Sequence, residues 1–307
     1  MNISQRQLRM FVTTAALGNV SRASEALHIS QPALTRALKE FEAQISTVLF
    51  ERTTRRLALT PEGERFLPTA QRLLSDLMEA AAQLHTQATS VQGTVTLAVG
   101  TAFGTLFLPQ ILGQLLKAHP GLRLRVIDDN SAGITRRVAH AEADLGVGSP
   151  IGDISALHCH KLLTAPLGLL AHPDHFALKA FVGLPELAQL PLLKEGADTS
   201  VMQLLRLRGS ELVGLMEGGI EVSSLAMQIA LAQTGVGVAV LSAMGASHPQ
   251  AQGLRFVPLR PAVRREVFLM QRKDRPLSAS GRLLRDALLL PLHAPSAHAS
   301  IRLANKA

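Results

Sequence analysis

The stretch S-R-A-S-E-A-L-H-I-S-Q-P-A-L-T-R-A-L-K-E-F-E-A-Q-I, Ser21 to Ile45, decides how the chain begins to fold. Its spacing predicts two short helices joined by a tight turn at His28-Ile29. In the first, Ala23, Ala26 and Leu27 fall at i, i+3 and i+4, so one face packs inward. Ser30 is placed to N-cap the second, and Pro32 falls in its first turn, where a missing N–H does no harm. Leu34, Leu38, Phe41 and Ile45 make its buried stripe. The outer face carries Gln31, Thr35 and Lys39 at four-residue steps, with Arg36 beside them. Long donors near a helix N-terminus, backed by a support helix, suit the DNA major groove. There Gln bridges adenine N6/N7, and Arg or Lys meets guanine or phosphate. Two solvated helices of a bundle would show the same polar face, so the flanking elements must decide.

Upstream, residues 4–17 read as a helix with Ser4 as N-cap, Leu8, Phe11, Val12 and Ala15 on one stripe, and Gly18 as its stop. Downstream, Leu49 to Thr60 holds two strand-like runs about a polar tip at Thr53, Thr54 and Arg55, a β-hairpin wing. Arg52, Arg55 and Arg56 cluster there, suited to phosphates or a minor groove. Thr60-Pro61 then opens a long helix to about Thr89. Phe66, Ala70, Leu73, Leu77, Ala80, Leu84 and Ala88 step by fours and threes along it, a coiled-coil seam that Pro68 kinks without ending. A one-sided helix of this length needs a partner, and a second copy of the chain is the simplest. Paired heads then read DNA half-sites one or more turns apart.

With 307 residues, 47% of them hydrophobic, the chain is long enough for two or more domains. Its net charge of +8 does not mark the DNA-binding segment. Residues 1–92 hold 10 Lys/Arg against 8 Asp/Glu, and residues 93–307 hold 21 against 15. Local placement therefore carries the nucleic-acid argument. The single cysteine, Cys159, excludes an intramolecular disulfide framework and a Cys-rich zinc site, and suits a reducing compartment. No signal-peptide run or membrane-length apolar stretch is present, so a cytoplasmic protein with no membrane partner is expected.

Beyond Gly93 the pattern changes to strands alternating with helices. T-V-T-L-A-V-G, L-R-L-R-V-I-D and D-L-G-V-G read as strands, separated by a helix ending at H-P-G and one over Ile134–Glu142. The order repeats beyond Leu162. Strand L-G-L-L-A is followed by a helix near Leu184–Leu190, strand L-L-K, a helix near Ser200–Leu207, strand I-E-V, helix Ser224–Gln233 and strand V-G-V-A-V-L. Leu254–Leu259 and Glu266–Met270 add strands, and Arg282–Leu290 closes the domain. The tail after Pro291 has little reason to order. This is an α/β domain with a largely parallel sheet, in two halves with a cleft at the strands' carboxyl ends. Loops there offer Thr101, Asn130, Ser131, Ser149, Asp198, Thr199, Ser200 and Ser223 to a small ligand, since free N–H groups at helix starts suit polar or anionic groups. Ordinary N-capping is the alternative role for each.

Several motifs together resemble LysR-type transcriptional regulators: R-Q-L-R-M-F-V at Arg6, S-R-A-S-E-A-L-H-I-S-Q-P-A-L-T-R-A-L at Ser21, L-F-E-R-T at Leu49 and L-T-P-E-G at Leu59. Further on, L-P-Q-I-L at Leu108, H-P-G-L at His119, D-L-G-V-G at Asp144 and G-V-G-V-A-V-L at Gly235 extend the likeness over nearly the whole chain. The resemblance implies a winged helix-turn-helix over 1–60, a linker and dimerisation helix over 61–92, and an effector domain over 93–292 like periplasmic binding proteins. Its lobes would comprise about 93–162 with 270–292, and 163–269, followed by a tail over 293–307. It also implies DNA contacts by Gln31, Pro32, Thr35, Arg36 and Arg55, and a pocket lined from the loops of Thr101 and Ser131. Ser149 stands where some aromatic-acid-sensing members carry Arg, so an aromatic carboxylate held there by Arg is not expected. The implied partners are promoter DNA, a small effector, RNA polymerase and further copies of the chain, as a homodimer or homotetramer.

No catalytic set emerges, and no cofactor or metal is expected. G-V-G-S-P-I-G at Gly146 misplaces its last glycine for a dinucleotide loop. In His158-Cys159-His160 the cysteine would point away from both histidines on a strand, so the three cannot converge on a metal.

Overall fold

The computed structural model describes residues 3–52, 57–85, 93–207 and 219–304, and the chain divides into two compact units, Met1–Thr89 and Ser90–Ala307. In the first, α1 (Gln5–Leu17) starts at a reciprocal capping box between Ser4 and Gln7. It stops at Gly18, whose φ of 57° lies in the left-handed region that glycine adopts freely. Asn19 caps α2 (Val20–Ala26), and the Ser30 side chain caps α3 (Gln31–Gln44) by accepting the Ala33 N–H. Leu34, Leu38 and Phe41 are buried as their spacing predicts, but Ala26 is exposed. The inward face of α2 instead runs Val20, Ala23, Ser24 and Leu27, because the helix is turned so that Val20 packs on the head's core and Ala26 faces out. Ser24 tolerates burial by donating to the Ser21 carbonyl at 2.7 Å.

Strands β1 (Phe50–Arg52) and β2 (Leu57–Leu59) pair antiparallel as the wing. The expected tip contacts Arg55 and Arg56, and the side chain of Arg52, lie outside the described residues. Phe11 joins the whole head: its ring centroid lies 5.5 Å from Phe50, 5.4 Å from Phe66 and 6.2 Å from Phe41. Helix α4 (Pro61–His85) opens where the Thr60 hydroxyl accepts the Gly63 N–H and donates to the Val48 carbonyl. Gly63 is required here, since a Cβ would stand 2.3 Å from the Leu49 carbonyl oxygen. The expected seam divides. Phe66 and Ala70 belong to the head's own core, whereas Leu73 and Leu77 are 42% and 48% exposed. The side chains of Ala80 and Leu84, and all of Ala88, lie outside the described residues.

The second unit opens with β3 (Gly93–Val99), α5 (Thr101–Ala118), β4 (Leu122–Asp128), α6 (Ser131–Ala139) and β5 (Leu145–Gly148). Next comes β6 (Leu157–Ala171), a single strand of 15 residues. The other lobe follows with β7 (Val182–Gly183), a 3₁₀ turn over Leu184–Gln189, β8 (Leu192–Lys194), α7 (Ser200–Arg206), β9 (Ile220–Glu221), α8 (Leu225–Gln233), β10 (Val238–Ser242), α9 (Ala243–Ala246) and β11 (Arg255–Arg260). Strand β12 (Arg264–Arg272), α10 (Ala279–Leu288) and β13 (Arg302–Leu303) complete it. The strand order is β4-β3-β5-β12-β6-β10-β8-β9. Its flanks are parallel and its centre antiparallel, so the sheet is mixed rather than largely parallel.

Strand β6 links the lobes. Leu157–Pro166 pairs with β12, and Leu167–Ala171 pairs with β10 and β11. The strand pairing therefore puts the crossings near Pro166 and before Arg264 rather than at residues 162 and 270, because β6 runs on past 162 in pairing with β12. The tail also departs from expectation. Leu292 is buried, β13 pairs with β6, and the Ala304 N–H reaches the Leu162 carbonyl at 2.9 Å. The edge of β6 that faces away from β12 at Leu163 and Thr164 gives the tail its reason to order.

Candidate nucleic-acid interface and ligand cleft

Gln31, Pro32, Arg36 and Lys39 are exposed at the start and along one side of α3, with Thr35 half-buried among them. Ser21 of α2 donates to the Gln31 amide oxygen at 3.2 Å, and Arg36 pairs with Glu40 at 2.9 Å. That pair is largely exposed and worth little, so it leaves Arg36 available for another anion. Glu42, on the same helix, reaches the other way. Its Oε1 accepts the N–H groups of Leu49 and Phe50 at 2.8 and 3.0 Å, which ties the wing's first strand to α3.

A cavity of about 230 Å³ lies between the two lobes of the second unit. Thr101, Asn130, Ser131, Thr199 and Ser223 line it, as expected from their loops. Asn130 has two tasks: its Oδ1 accepts the Gly133 N–H at 2.8 Å, and its Nδ2 donates across the mouth to Asp198 at 2.7 Å. Asp198 is thus a latch to the opposite lobe rather than a lining residue. Ser200 is buried off the lining, with an Oγ that finds no partner among the described residues. Ser149 is also off the lining. Its hydroxyl donates to the Glu266 carbonyl at 2.6 Å and accepts from Arg265 Nε at 3.0 Å, so it positions Arg265, which does line the cavity.

Glu195, Asp128, Asp129 and Ser242 also line the cavity. Burial pushes the Glu195 carboxyl above the usual carboxylate range, while Arg265 and the Thr199 hydroxyl draw it back. Burial also holds the Arg265 guanidinium below its ordinary value, against the pull of Glu195. Asp129 is neutralised by Arg137 at 2.7 Å. Among the described residues no group of His, Cys, Asp and Glu could hold a metal ion. His158 and His160 are exposed on β6, and Cys159 is half-buried between them.

Residues 5–64 match the family model for bacterial regulatory helix-turn-helix proteins of the lysR family, and residues 88–290 match the LysR substrate binding domain. The chain belongs to the LysR family. It is a DNA-binding transcriptional regulator with a substrate-binding domain of the LysR type. The LysR-family relatives include the HTH-type transcriptional regulator YbhD of Escherichia coli (strain K12), 28% identical over 273 residues that cover 88% of this chain and 86% of that protein. Another is the SDS degradation transcriptional activation protein of a Pseudomonas species, 29% identical over 297 residues and covering 92% and 95%. Among solved LysR-like folds, full-length OxyR from Pseudomonas aeruginosa, as a cysteine variant, matches with a TM-score of 0.72 at 22% identity, covering 100% of this chain and 99% of that one. Full-length CbnR, solved with its target DNA, matches with a TM-score of 0.66 at 20% identity and covers 93% and 99%.

Sequence reasoning missed Asp128, Glu195, Ser242 and Arg265 in the LysR cleft. Asp128 and Ser242 end β4 and β10, so the rule that ligands sit at strand carboxyl ends could have found them. Arg265 near the start of β12 carried no local signal.

Proposed function

We propose that this regulator reads its operator with Gln31, Pro32, Thr35, Arg36 and Lys39 in the major groove, while Arg52, Arg55 and Arg56 of the wing grip phosphate or the minor groove. The observation that supports this reading is the exposure of Gln31, Arg36 and Lys39 on a helix whose opposite side is fixed in the head's core. A small effector binds in the cleft between the lobes, contacted by Thr101, Asn130, Ser131, Thr199 and Ser223. Asp198 and Ser149 act through Asn130 and Arg265, and Ser200 stands behind the cleft. Effector binding biases the lobes between two arrangements and so alters promoter access for RNA polymerase. The chain works by reversible binding rather than turnover, in the cytoplasm, as a homodimer or homotetramer. Leu73 and Leu77 of α4 start the seam that a second copy covers.

A nuclease footprint upstream of the protein's own gene tests the DNA assignment, with wild type beside a Gln31→Ala/Arg36→Ala variant of equal thermal stability. A discrete footprint that the variant loses is expected. Removing one bidentate base contact costs about 1–3 kcal/mol and relaxes specificity at one position. Equal protection by both proteins on specific and random DNA would reject these residues as readers.

A further inference from the structure

We infer that the effector is a small monocarboxylate, held through its two oxygens by the Nη groups of Arg265; this rests on the cleft being the effector site. The guanidinium carries the argument. Arg265 lines the cavity, and its Nε is spent on the Ser149 hydroxyl at 3.0 Å. Ser149, 7% exposed, is itself fixed by donating to the Glu266 carbonyl at 2.6 Å, so the planar group is held in one orientation. Neither Nη group has a hydrogen-bond partner among the described residues, and no carboxylate there lies within ion-pair distance of the side chain. Neither Nη atom is sealed in the interior, so both remain open to the cavity. Burial penalises the charge and holds the guanidinium below its ordinary value, against the pull of Glu195 in the same lining. A cation kept from bulk water with donors to spare is completed by an anion.

Shape and charge narrow the anion. Two parallel N–H groups on a rigid plane match the two oxygens of a carboxylate. Charge limits the ligand to one such group, because Asp128, Asp129 and Glu195 line the same cavity. Arg137 neutralises Asp129 at 2.7 Å. Asp128 is exposed, so water screens it, and its oxygens accept from the Thr101 hydroxyl at 2.9 and 3.0 Å. Glu195 remains as the rival for Arg265, and burial favours its neutral form. One guanidinium thus balances one ligand charge. A phosphate or dicarboxylate would bring a second charge with nothing to meet it. Ala102 and Leu225, both partly exposed, give the carbon end of the ligand apolar surface. The volume of about 230 Å³ is below the roughly 300–1,000 Å³ of pockets that take drug-sized ligands, so an acid of a few carbons fits.

Binding to the full-length protein is measured by calorimetry with short aliphatic, 2-hydroxy and 2-keto monocarboxylates, with the matching amides and amines, with succinate, with inorganic phosphate and with neutral sugars. The expected result is saturable binding of at least one monocarboxylate, with its amide weaker by about tenfold or more and succinate and phosphate no tighter. Arg265→Met should weaken that acid by about tenfold or more, and Arg265→Lys, which keeps the charge without the fork, by a smaller factor. Glu195→Gln should tighten it by about threefold or more, because Arg265 then has no rival charge. If Arg265→Met fails to keep the wild-type melting profile, the amide comparison and Glu195→Gln carry the test. An amide as tight as its acid, or an acid indifferent to Arg265→Met, overturns the proposal. Weaker binding in Glu195→Gln also overturns it, since Glu195 would then be the anchor of a cationic ligand. Tighter binding of succinate or phosphate rejects the single-charge class. If only amines or sugars bind, the class is wrong, and a footprint shift by them that Glu195→Gln abolishes leaves the cleft reading standing. If none of these compounds moves either the calorimetric signal or the footprint, the cleft reading falls with the proposal.

Discussion

Replacing Glu42 separates the wing from the recognition helix without touching the DNA-facing side chains. Glu42 Oε1 is the acceptor for two backbone N–H groups, those of Leu49 and Phe50, residues that are 1% and 7% exposed. Glu42→Ala leaves both N–H groups short of an acceptor inside the head. Each such loss costs about 1–3 kcal/mol, and partial rescue by water brings the total to roughly 2–4 kcal/mol. Glu42→Gln keeps an oxygen acceptor and loses only the charge assistance, about 1 kcal/mol. For a unit the size of Met1–Thr89, each kcal/mol moves the midpoint by about 4–8 °C, so Glu42→Ala lowers the head's transition by roughly 8–30 °C. The chain has no Trp or Tyr, so calorimetry or far-ultraviolet circular dichroism must follow the transition rather than intrinsic fluorescence. The transition of the second unit should stay in place. Below the lowered midpoint, DNA affinity should show a shallower salt dependence, because a loosened wing holds fewer phosphates. A head transition unchanged in Glu42→Ala, or equal losses in the Ala and Gln variants, would refute the view that this one oxygen orders the wing.

Asn130→Asp keeps an N-cap oxygen for Gly133 but sets a carboxylate against Asp198, so the mouth should open, seen as a larger radius of gyration of the protein in X-ray scattering; an unchanged radius would count against the latch. Burial raises the Cys159 thiol above its ordinary value, outweighing Lys273, so the folded protein should alkylate more slowly than a cysteine peptide at pH 8. Because the thiolate is disfavoured only in the folded state, stability should also fall as pH rises past the unfolded thiol's value, and a Cys159→Ala variant should lack that slope. Deleting residues 293–307 removes β13 and the packing of Ala297 and Ile301, which should cost the second unit about 1–3 kcal/mol; a full-length melting midpoint would contradict the observed pairing.

The helix-turn-helix was legible because its determinants are local. Caps at Ser4 and Ser30, the stop at Gly18 and the stripe of Leu34, Leu38 and Phe41 depend on neighbours within a turn or two. Where the sequence misled, the deciding partner was distant. The face of α2 was misassigned at Ala26 because packing of Val20 and Leu27 on the head's core sets which side of the helix turns inward. Phe66 and Ala70 look like coiled-coil positions until Phe11 and Phe41 are seen to cover that stretch. The tail looked unstructured because its strand partner lies more than a hundred residues away.

The cleft divides in the same way. By itself the sequence determined the order of elements, the loops that face the cleft and five residues on its lining, because strand ends and helix caps follow from short-range periodicity and turn chemistry. Only the tertiary structure brought Arg265 to Ser149 and set Arg265 and Glu195 in one cavity lining. Those pairings arise where β12 returns to the first lobe beside β6, and charge compensation depends on distances through space that no spacing along the chain encodes.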